Sequence, residues 1–157
     1  SLVTTDVDSS APELPRDERW KSVGFQSARP SSDFRTGPHA LLCMVIAGRA
    51  YSPEFREMVA GSDGYCGAAD DDHNRFHYPF AATAINVHFM LLHYLGVVDG
   101  FSLVVKDAIA ASGHERKVFA SALAVTSGAF EDLFTATCMA VHSHWTRMVR
   151  DEEATLM

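Results

Sequence analysis

The sequence has few cysteines and no pattern that predicts strands. Its three cysteines, Cys43, Cys66 and Cys138, are odd in number, far apart and free of any C-x-x-C pair. This spacing argues against a disulfide framework and against a zinc ribbon, and it favours a reducing, cytoplasmic setting. Because no alternating apolar and polar residues lie between hairpin turns, the chain is not predicted to form a sheet.

The usual motifs for nucleotide binding and hydrolysis are also missing. There is no Walker P-loop, no dinucleotide fingerprint, no G-x-S-x-G and no H-E-x-x-H. Acidic residues outnumber lysine and arginine by 20 to 13, and no local basic patch offsets the net charge of -7. Nucleic-acid binding is therefore not predicted, because its affinity depends on neutralising phosphates.

Eight histidines suggest a metal site at first sight. One group, His73 and His77, follows the acidic run 70–72, and a second pair, His88 and His93, lies in an apolar run. The second pair is five residues apart and does not share one helical face, and acidic residues in a loop usually keep it solvated. The sequence therefore predicts no metal site.

What the chain does have is the composition of one ordinary globular domain. Its 157 residues are 47% apolar and 21% charged, which is enough to bury a real core. Residues 1–17 are mostly polar and acidic, without the basic start and apolar run of a secretory signal. We expect a flexible tail over 1–17 and a single domain over 18–157.

The longest apolar run covers residues 78–98 and contains no Asp, Glu, Lys or Arg. Its length alone would suffice to cross a bilayer. Polar Asn86 and His88 lie inside the run, no cluster of basic residues flanks it, and Pro79 and Gly96 stand at its ends. These features indicate instead a capped helix at the centre of a helical domain. No transmembrane segment is predicted.

Helix start and stop signals recur along the chain. Pro38 opens one apolar run, Ser52 is a predicted N-cap with Pro53 behind it, and Ser112 with Glu115 matches a capping box. A further helix is predicted over about 101–111. The fold class predicted is therefore all-α, a single compact domain of about six helices packed around residues 80–95.

The last helix has the clearest pattern. Ser127 is a plausible N-cap, and Glu131 and Asp132 suit the positive first turn. Apolar residues then recur at intervals of three and four, which predicts a face turned to the core. That face comprises Phe130, Leu133, Phe134, Cys138, Val141, Trp145 and Met148.

A turn-rich stretch before the first long helix, WKSVGFQSARPSSDFRTGP, carries one arginine directly after an aromatic residue. Asp33 favours a turn, Phe34 can anchor the backbone in the core, and Gly37 can redirect the chain, so Arg35 is able to project outward. Guanidinium suits phosphate oxygens better than an ammonium group does. From the residues alone, a surface ion pair or a capped carbonyl is the more common role of such an arginine.

The same stretch resembles the opening signature of the ELMO (CED-12) domain family, in which a Trp, a Gly-Phe-Gln and a Pro precede Asp-Phe-Arg. The run YPFAATAINVHFMLL is similar to the family's apolar helix, and FEDLFTATCMAVHSHW is similar to its closing helix. The three blocks occur in the family's order and span nearly everything from Trp20 to Met157. The resemblance implies an all-helical domain.

In its ELMOD-type members, this family activates GTP hydrolysis by Arf and Arf-like small GTPases through the arginine of that motif. The resemblance thus implies that Arg35 is catalytic and inserts into a GTP-bound partner, with no cofactor of the domain's own and with peripheral membrane recruitment only through that partner. Supporting roles in the loop fall to Trp20, Gly24, Phe25, Gln26, Pro30, Asp33 and Phe34. Core roles fall to Tyr78, Pro79, Phe80, Asn86 and Trp145.

The family also offers a second function. Its scaffold members pair with Dock-type exchange factors and generally lack the arginine, and a domain that binds a GTPase without accelerating hydrolysis is a third alternative. This chain departs from the ELMOD-type pattern after the arginine, where Thr36, Pro38 and His39 stand in a segment expected to hold Gly and Leu.

Overall fold

The structure, a computed structural model, describes residues 17–34, 37–60, 78–98 and 110–156. Within these ranges the chain is helical, with no strand, as the composition and periodicity predict. The α-helices are α1 Arg19–Ser22, α2 His39–Ala50, α3 Ser52–Ala60, α4 Phe80–Tyr94, α5 Gly113–Val125 and α6 Ala129–Leu156, with a 3₁₀ turn at Pro30–Ser32. Most of the helix predicted over 101–111 lies outside the described residues.

Helix α4 is the centre of the core, as the sequence predicts. Its first half is almost wholly buried, and helices α2, α3 and α6 pack against it. Phe80, Ile85 and Phe134 belong to the buried apolar cluster of the core, and burying such side chains stabilises the fold by about 1.5–3 kcal/mol each. None of the described helices is both long and apolar enough to span a bilayer.

The junction between α2 and α3 differs from the prediction. Helix α2 runs past Gly48 to Ala50, and Ser52 is already the first residue of α3 rather than its N-cap. The Ser52 hydroxyl donates a hydrogen bond of 2.9 Å to the carbonyl of Gly48. The hydroxyl therefore bonds to a carbonyl near the end of α2, where carbonyl groups lack helical partners. It does not cap the N–H groups at the start of α3.

The capping box predicted at the start of α5 is confirmed. The backbone N–H of Glu115 donates to Ser112 Oγ at 3.2 Å, and the backbone N–H of Ser112 donates to Glu115 Oε2 at 2.7 Å. This second contact, made by the carboxylate, lowers the pKa of Glu115. Two first-turn donors are thereby satisfied at a helix that buries none of its side chains.

We predict that Ser112→Ala destabilises the domain by about 1 kcal/mol, because α5 loses its N-cap. The helix buries too little of its surface for packing to compensate for this loss. Equilibrium urea unfolding followed by circular dichroism measures the change. Ser121→Ala is the control, since Ser121 lies within the same helix and donates only to the carbonyl of Lys117. Equal losses from the two serine variants would contradict the capping role.

The face predicted on α6 is correct at its start and wrong at two positions toward its end. Phe130, Phe134 and Cys138 are buried, whereas Val141 and Met148 are 36% and 46% exposed. Trp145 is partly covered, as predicted, and the other partly covered positions there are His142 and Val149. A helix of 3.6 residues per turn brings these positions, spaced by three and four after Cys138, onto the core face. The helix begins at Ala129, one position later than Ser127 as N-cap implies.

Candidate functional site

The connection between α1 and α2, which includes the 3₁₀ turn and which we call the loop, is held by three aromatic rings. We call these rings the aromatic anchor: Trp20, Phe25 and Phe34. The ring of Phe25 lies edge-on to that of Trp20, with centroids 5.5 Å apart, and edge-on to that of Phe34 at 5.8 Å. Phe25 is buried, and the other two rings pack against the core from its edge. Edge-to-face aromatic pairs contribute about 0.5–1.5 kcal/mol each beyond burial, so the loop is fixed at both of its ends.

Gly24 brings this loop into direct contact with the first turn of α4. Its φ is +91°, and a Cβ placed on it would lie only 2.5 Å from the backbone nitrogen of Phe80. The carbonyls of Val23 and Gly24 accept hydrogen bonds from Ala81 N–H at 3.1 Å and Ala82 N–H at 3.0 Å. First-turn N–H groups have no partner inside their own helix, so the loop backbone caps α4.

Asp33 closes the second half of the loop. Its Oδ2 accepts a hydrogen bond of 2.9 Å from the backbone N–H of Gln26, and its own N–H donates to the Pro30 carbonyl at 3.0 Å. Pro30 is buried and begins the 3₁₀ turn, where a fixed φ and a missing N–H are tolerated. The supporting roles expected of Asp33 and Pro30 therefore have a physical basis in the described contacts.

We predict that Asp33→Ala lowers the free energy of unfolding by about 1.5–3 kcal/mol, since the Gln26 N–H loses a charged acceptor. Asp33→Asn keeps one acceptor oxygen and is expected to lose less than half as much. Urea unfolding of the three proteins measures both changes. If Asp33→Ala stays within about 0.5 kcal/mol of the parent, which is typical of surface sites, the hydrogen bond does not fix the loop.

Arg35, the expected catalytic residue, and Thr36 lie outside the described residues. The chain is described up to Phe34, which belongs to the aromatic anchor, and again from Gly37. Gly37 has φ +81°, and a Cβ built on it meets no atom within 4 Å. Both flanks of the arginine are thus defined: Phe34 is held against the core, and Gly37 is partly buried with room for a side chain.

A small cleft of about 50 Å³ lies between this loop and α4. Gln26, Ser32 and Asp33 line one side, and Ala82, Ile85 and Asn86 line the other. The volume suits a few water molecules and is far below the roughly 300 Å³ or more of small-molecule sites. Asn86 is exposed here, so its expected place in the core is wrong: its position on α4 faces the loop rather than the neighbouring helices.

Of the other expected core residues, Tyr78 and Phe80 are buried, and Pro79 and Trp145 are partly buried. Tyr78 is buried with its hydroxyl 2.8 Å from His142 Nδ1, and its ring centroid lies 5.7 Å from that of Trp145. Phe80 is also buried and meets the ring of Phe55 edge-on at 4.9 Å. Pro79 is partly buried and occupies the N-cap position of α4. These residues join α3, α4 and α6.

The described thiols are not poised for nucleophilic chemistry. Cys43 and Cys138 are both buried and free, and burial raises the pKa of each to about 12. Neither thiol is therefore ionised at neutral pH unless a positive charge is brought beside it. Buried thiols of this kind act as small apolar residues, while Cys66 lies outside the described residues.

The fold is a helical domain in which the loop before Arg35 is fixed beside the first turn of the central helix. The family model for the ELMO/CED-12 family matches residues 3–157. The chain therefore belongs to the ELMO/CED-12 family, which confirms the resemblance carried by the three sequence blocks. No curated protein and no solved structure matches the chain significantly. Membership makes it a module of the ELMO type, related to small-GTPase function.

Proposed function

We propose that this domain binds the GTP-bound form of an Arf or Arf-like small GTPase and accelerates its GTP hydrolysis by inserting Arg35. The observation that carries the proposal is the way in which the first two residues of the Asp-Phe-Arg motif are held. Asp33 is bonded to the Gln26 backbone, and Phe34 packs edge-on against Phe25. A rigid support directly before an arginine is what a positioned guanidinium requires.

For GTP hydrolysis, the domain has to supply only an arginine and a surface that binds the GTPase. Hydrolysis spreads negative charge over the transferring phosphoryl group and the leaving oxygen, and an arginine from a partner neutralises it, which is worth about 10³–10⁵ in rate. GTP, Mg²⁺ and the residue that orients the attacking water all belong to the GTPase. The small size of the loop cleft, about 50 Å³, fits a domain that contributes one charge and a docking surface.

Helix α2 supplies part of that docking surface in our proposal. Leu42, Val45 and Ile46 are 49%, 41% and 37% exposed on a helix that begins four residues after Arg35. Exposed apolar residues that lie close together are typical of protein contact sites. We propose that the domain works in the cytoplasm and reaches membranes only with its GTPase.

The exposed apolar residues of α2 also favour a second candidate function, in which the domain binds a partner protein without changing the rate of GTP hydrolysis. It would then be a GTPase-binding module, or a scaffold paired with a Dock-type exchange factor. Both alternatives retain a contact surface on α2 and assign no rate effect to Arg35. They differ from the main proposal in one measurable quantity, the rate of hydrolysis by the bound partner.

Single-turnover hydrolysis tests the proposal. A panel of Arf and Arf-like GTPases is loaded with GTP, and phosphate release is followed with and without a saturating concentration of the domain. We expect acceleration of about 10³-fold or more for at least one GTPase of the panel. Binding to the GTP-loaded form without any acceleration across the panel would reject the catalytic proposal in favour of the binding module.

A further inference from the structure

Three potential metal ligands meet between α2 and α4, away from the aromatic anchor. His39 Nδ1 lies 2.9 Å from His88 Nε2 and 3.8 Å from Cys43 Sγ. One ligand atom from each of these three residues falls within 4.8 Å of the other two. His39 and Cys43 are four residues apart on α2, so they share one helical face, and His88 reaches the same point from α4.

These separations suit a tetrahedral zinc ion. With Zn–N bonds of about 2.0–2.1 Å and a Zn–S bond of about 2.3 Å, two nitrogens lie about 3.3 Å apart and nitrogen and sulfur about 3.6 Å apart. The distances from His39 Nδ1 to His88 Nε2 and to Cys43 Sγ differ from these values by a few tenths of an ångström, and His88 Nε2 and Cys43 Sγ lie within 4.8 Å of each other. The two imidazoles are now joined by a hydrogen bond. If the rings moved apart by a few tenths of an ångström, the ion would fit between them.

Glu131 on α6 supplies the carboxylate that commonly supports a metal-bound histidine. Its Oε1 lies 3.7 Å from His39 Nε2, the ring nitrogen that faces away from His88. Its Oε2 is buried and has no hydrogen-bond partner among the described residues. A carboxylate at the far nitrogen fixes the ring orientation and raises its basicity, and a bound cation would offset the negative charge that is now buried there.

The surroundings of the three ligands favour retention of an ion and still permit its entry. His88 and Cys43 are both 0% exposed, and the rings of Phe130 and Phe134 lie 5.5 Å and 6.3 Å from the His88 ring. The His39 side chain, by contrast, is 45% exposed. An ion can therefore enter past His39 into a site whose inner wall is apolar.

We infer that His39 Nδ1, Cys43 Sγ and His88 Nε2 form a zinc site, with Glu131 holding His39 and one coordination position open to water. Cys43 binds as the thiolate and gives its proton to solvent as the ion enters. The histidine and thiolate set selects zinc over magnesium or calcium, which prefer oxygen ligands. The ion links the first turn of α2, four residues beyond Arg35, to α4.

This inference revises the prediction of no metal, which weighed His88 with His93 and the acidic run 70–72. The partners of His88 are 49 and 45 residues away in sequence, so only the packing of α2 on α4 reveals them. The one local signal was H-x-x-x-C, with both residues on one face of a predicted helix. That pattern alone is too common to predict a site.

Cobalt substitution tests the site without any GTPase, so its result is independent of the proposed function. The complete 157-residue chain is stripped with a chelator and titrated with Co²⁺. We expect an absorption band from thiolate-to-cobalt charge transfer together with visible bands of tetrahedral intensity. Both are expected to saturate at one equivalent and to disappear when Zn²⁺ is added. No charge-transfer band at one equivalent would overturn the inference.

Variants assign the ligands. Cys43→Ser is expected to remove the charge-transfer band, His39→Gln to weaken Zn²⁺ binding at least tenfold in a competition with a coloured chelator, and Glu131→Gln to weaken it about tenfold. His39→Gln changes a partly exposed residue, so it tests the site even if Cys43→Ser does not fold by circular dichroism.

Matched controls are a second buried thiol and an exposed histidine outside the cluster. Cys138→Ala and His114→Gln are expected to retain the band and the parent affinity, because neither residue belongs to the three-ligand group. A band that persists in folded Cys43→Ser and vanishes in Cys138→Ala would overturn the assignment. Equal Zn²⁺ affinity of the parent and His39→Gln would do the same.

Discussion

Arg35→Ala is expected to abolish the stimulated GTP hydrolysis of the partner GTPase, with a fall in the single-turnover rate of about 10³-fold or more. The guanidinium meets charge that develops only as the phosphoryl group transfers, so its removal affects the rate far more than ground-state binding. Affinity for the GTPase loaded with a non-hydrolysable GTP analogue should therefore change by less than tenfold. Both quantities are measured on the same GTPase that responds to the parent domain.

Two further arginine variants sharpen this test. Arg35→Lys keeps the charge but loses the planar pair of donors, so it is expected to recover only a small part of the rate. Arg29→Ala is the matched control, because Arg29 is an exposed arginine in the same loop, directly before the 3₁₀ turn. Equal stimulation by the parent, Arg35→Ala and Arg35→Lys would exclude an arginine finger. A rate loss from Arg29→Ala as large as that from Arg35→Ala would point to general surface charge instead.

The two outcomes of this experiment separate the family's functions. If the parent stimulates hydrolysis and Arg35→Ala binds without stimulating it, the domain acts as a GTPase activator, and the Asp33 hydrogen bond positions its reactive residue. If the parent binds without stimulation, the exposed apolar residues of α2 are the functional surface, and Leu42→Asp should then abolish binding. The second result assigns the domain to the binding modules of the family.

Local signals predicted most of the helices because a helix start is marked by a few neighbouring residues. Ser112 and Glu115 form the capping box of α5 with each other, without help from distant parts of the chain. Pro79 marks the start of α4 in the sequence, although the carbonyls that cap its first turn belong to the distant Val23 and Gly24. The buried start of α6 was equally readable, since Phe130, Phe134 and Cys138 repeat every four residues. The prediction failed at Val141, because it selected an apolar residue instead of His142, the position that the helical period brings to the core face.

Features that depend on distant pairs were not predictable from one sequence. The family resemblance marked Gly24 and Asn86, which are about 60 residues apart in the chain. It did not indicate that Gly24 packs against the first turn of α4 or that Asn86 lines the cleft beside the loop. His88 was assessed with its sequence neighbour His93, whereas its ring lies against His39. In each case the missing quantity was the packing of one helix or loop on another.

Gly24→Ala is expected to produce the largest loss of stability of any single methyl addition in the loop. The new Cβ would lie 2.5 Å from the Phe80 nitrogen and 2.7 Å from the Pro79 carbonyl carbon, and real Cβ atoms essentially never approach closer than 3.0 Å. Backbone atoms at a helix start cannot move aside as a flexible side chain can. The loop must therefore withdraw from α4 and give up the two hydrogen bonds that cap Ala81 and Ala82, for a total of about 3–5 kcal/mol.

Gly37→Ala separates the steric part of this effect from the conformational part. Gly37 also has a positive φ, +81°, but a Cβ there meets no atom within 4 Å, so its substitution should cost only the left-handed backbone penalty of about 1–2 kcal/mol. Urea unfolding of both variants, followed by circular dichroism, gives the difference directly. If the two alanine variants lose the same free energy, then the loop yields freely to the added methyl group. In that case the capping of α4 by Val23 and Gly24 does not hold the loop that carries the Asp-Phe-Arg motif.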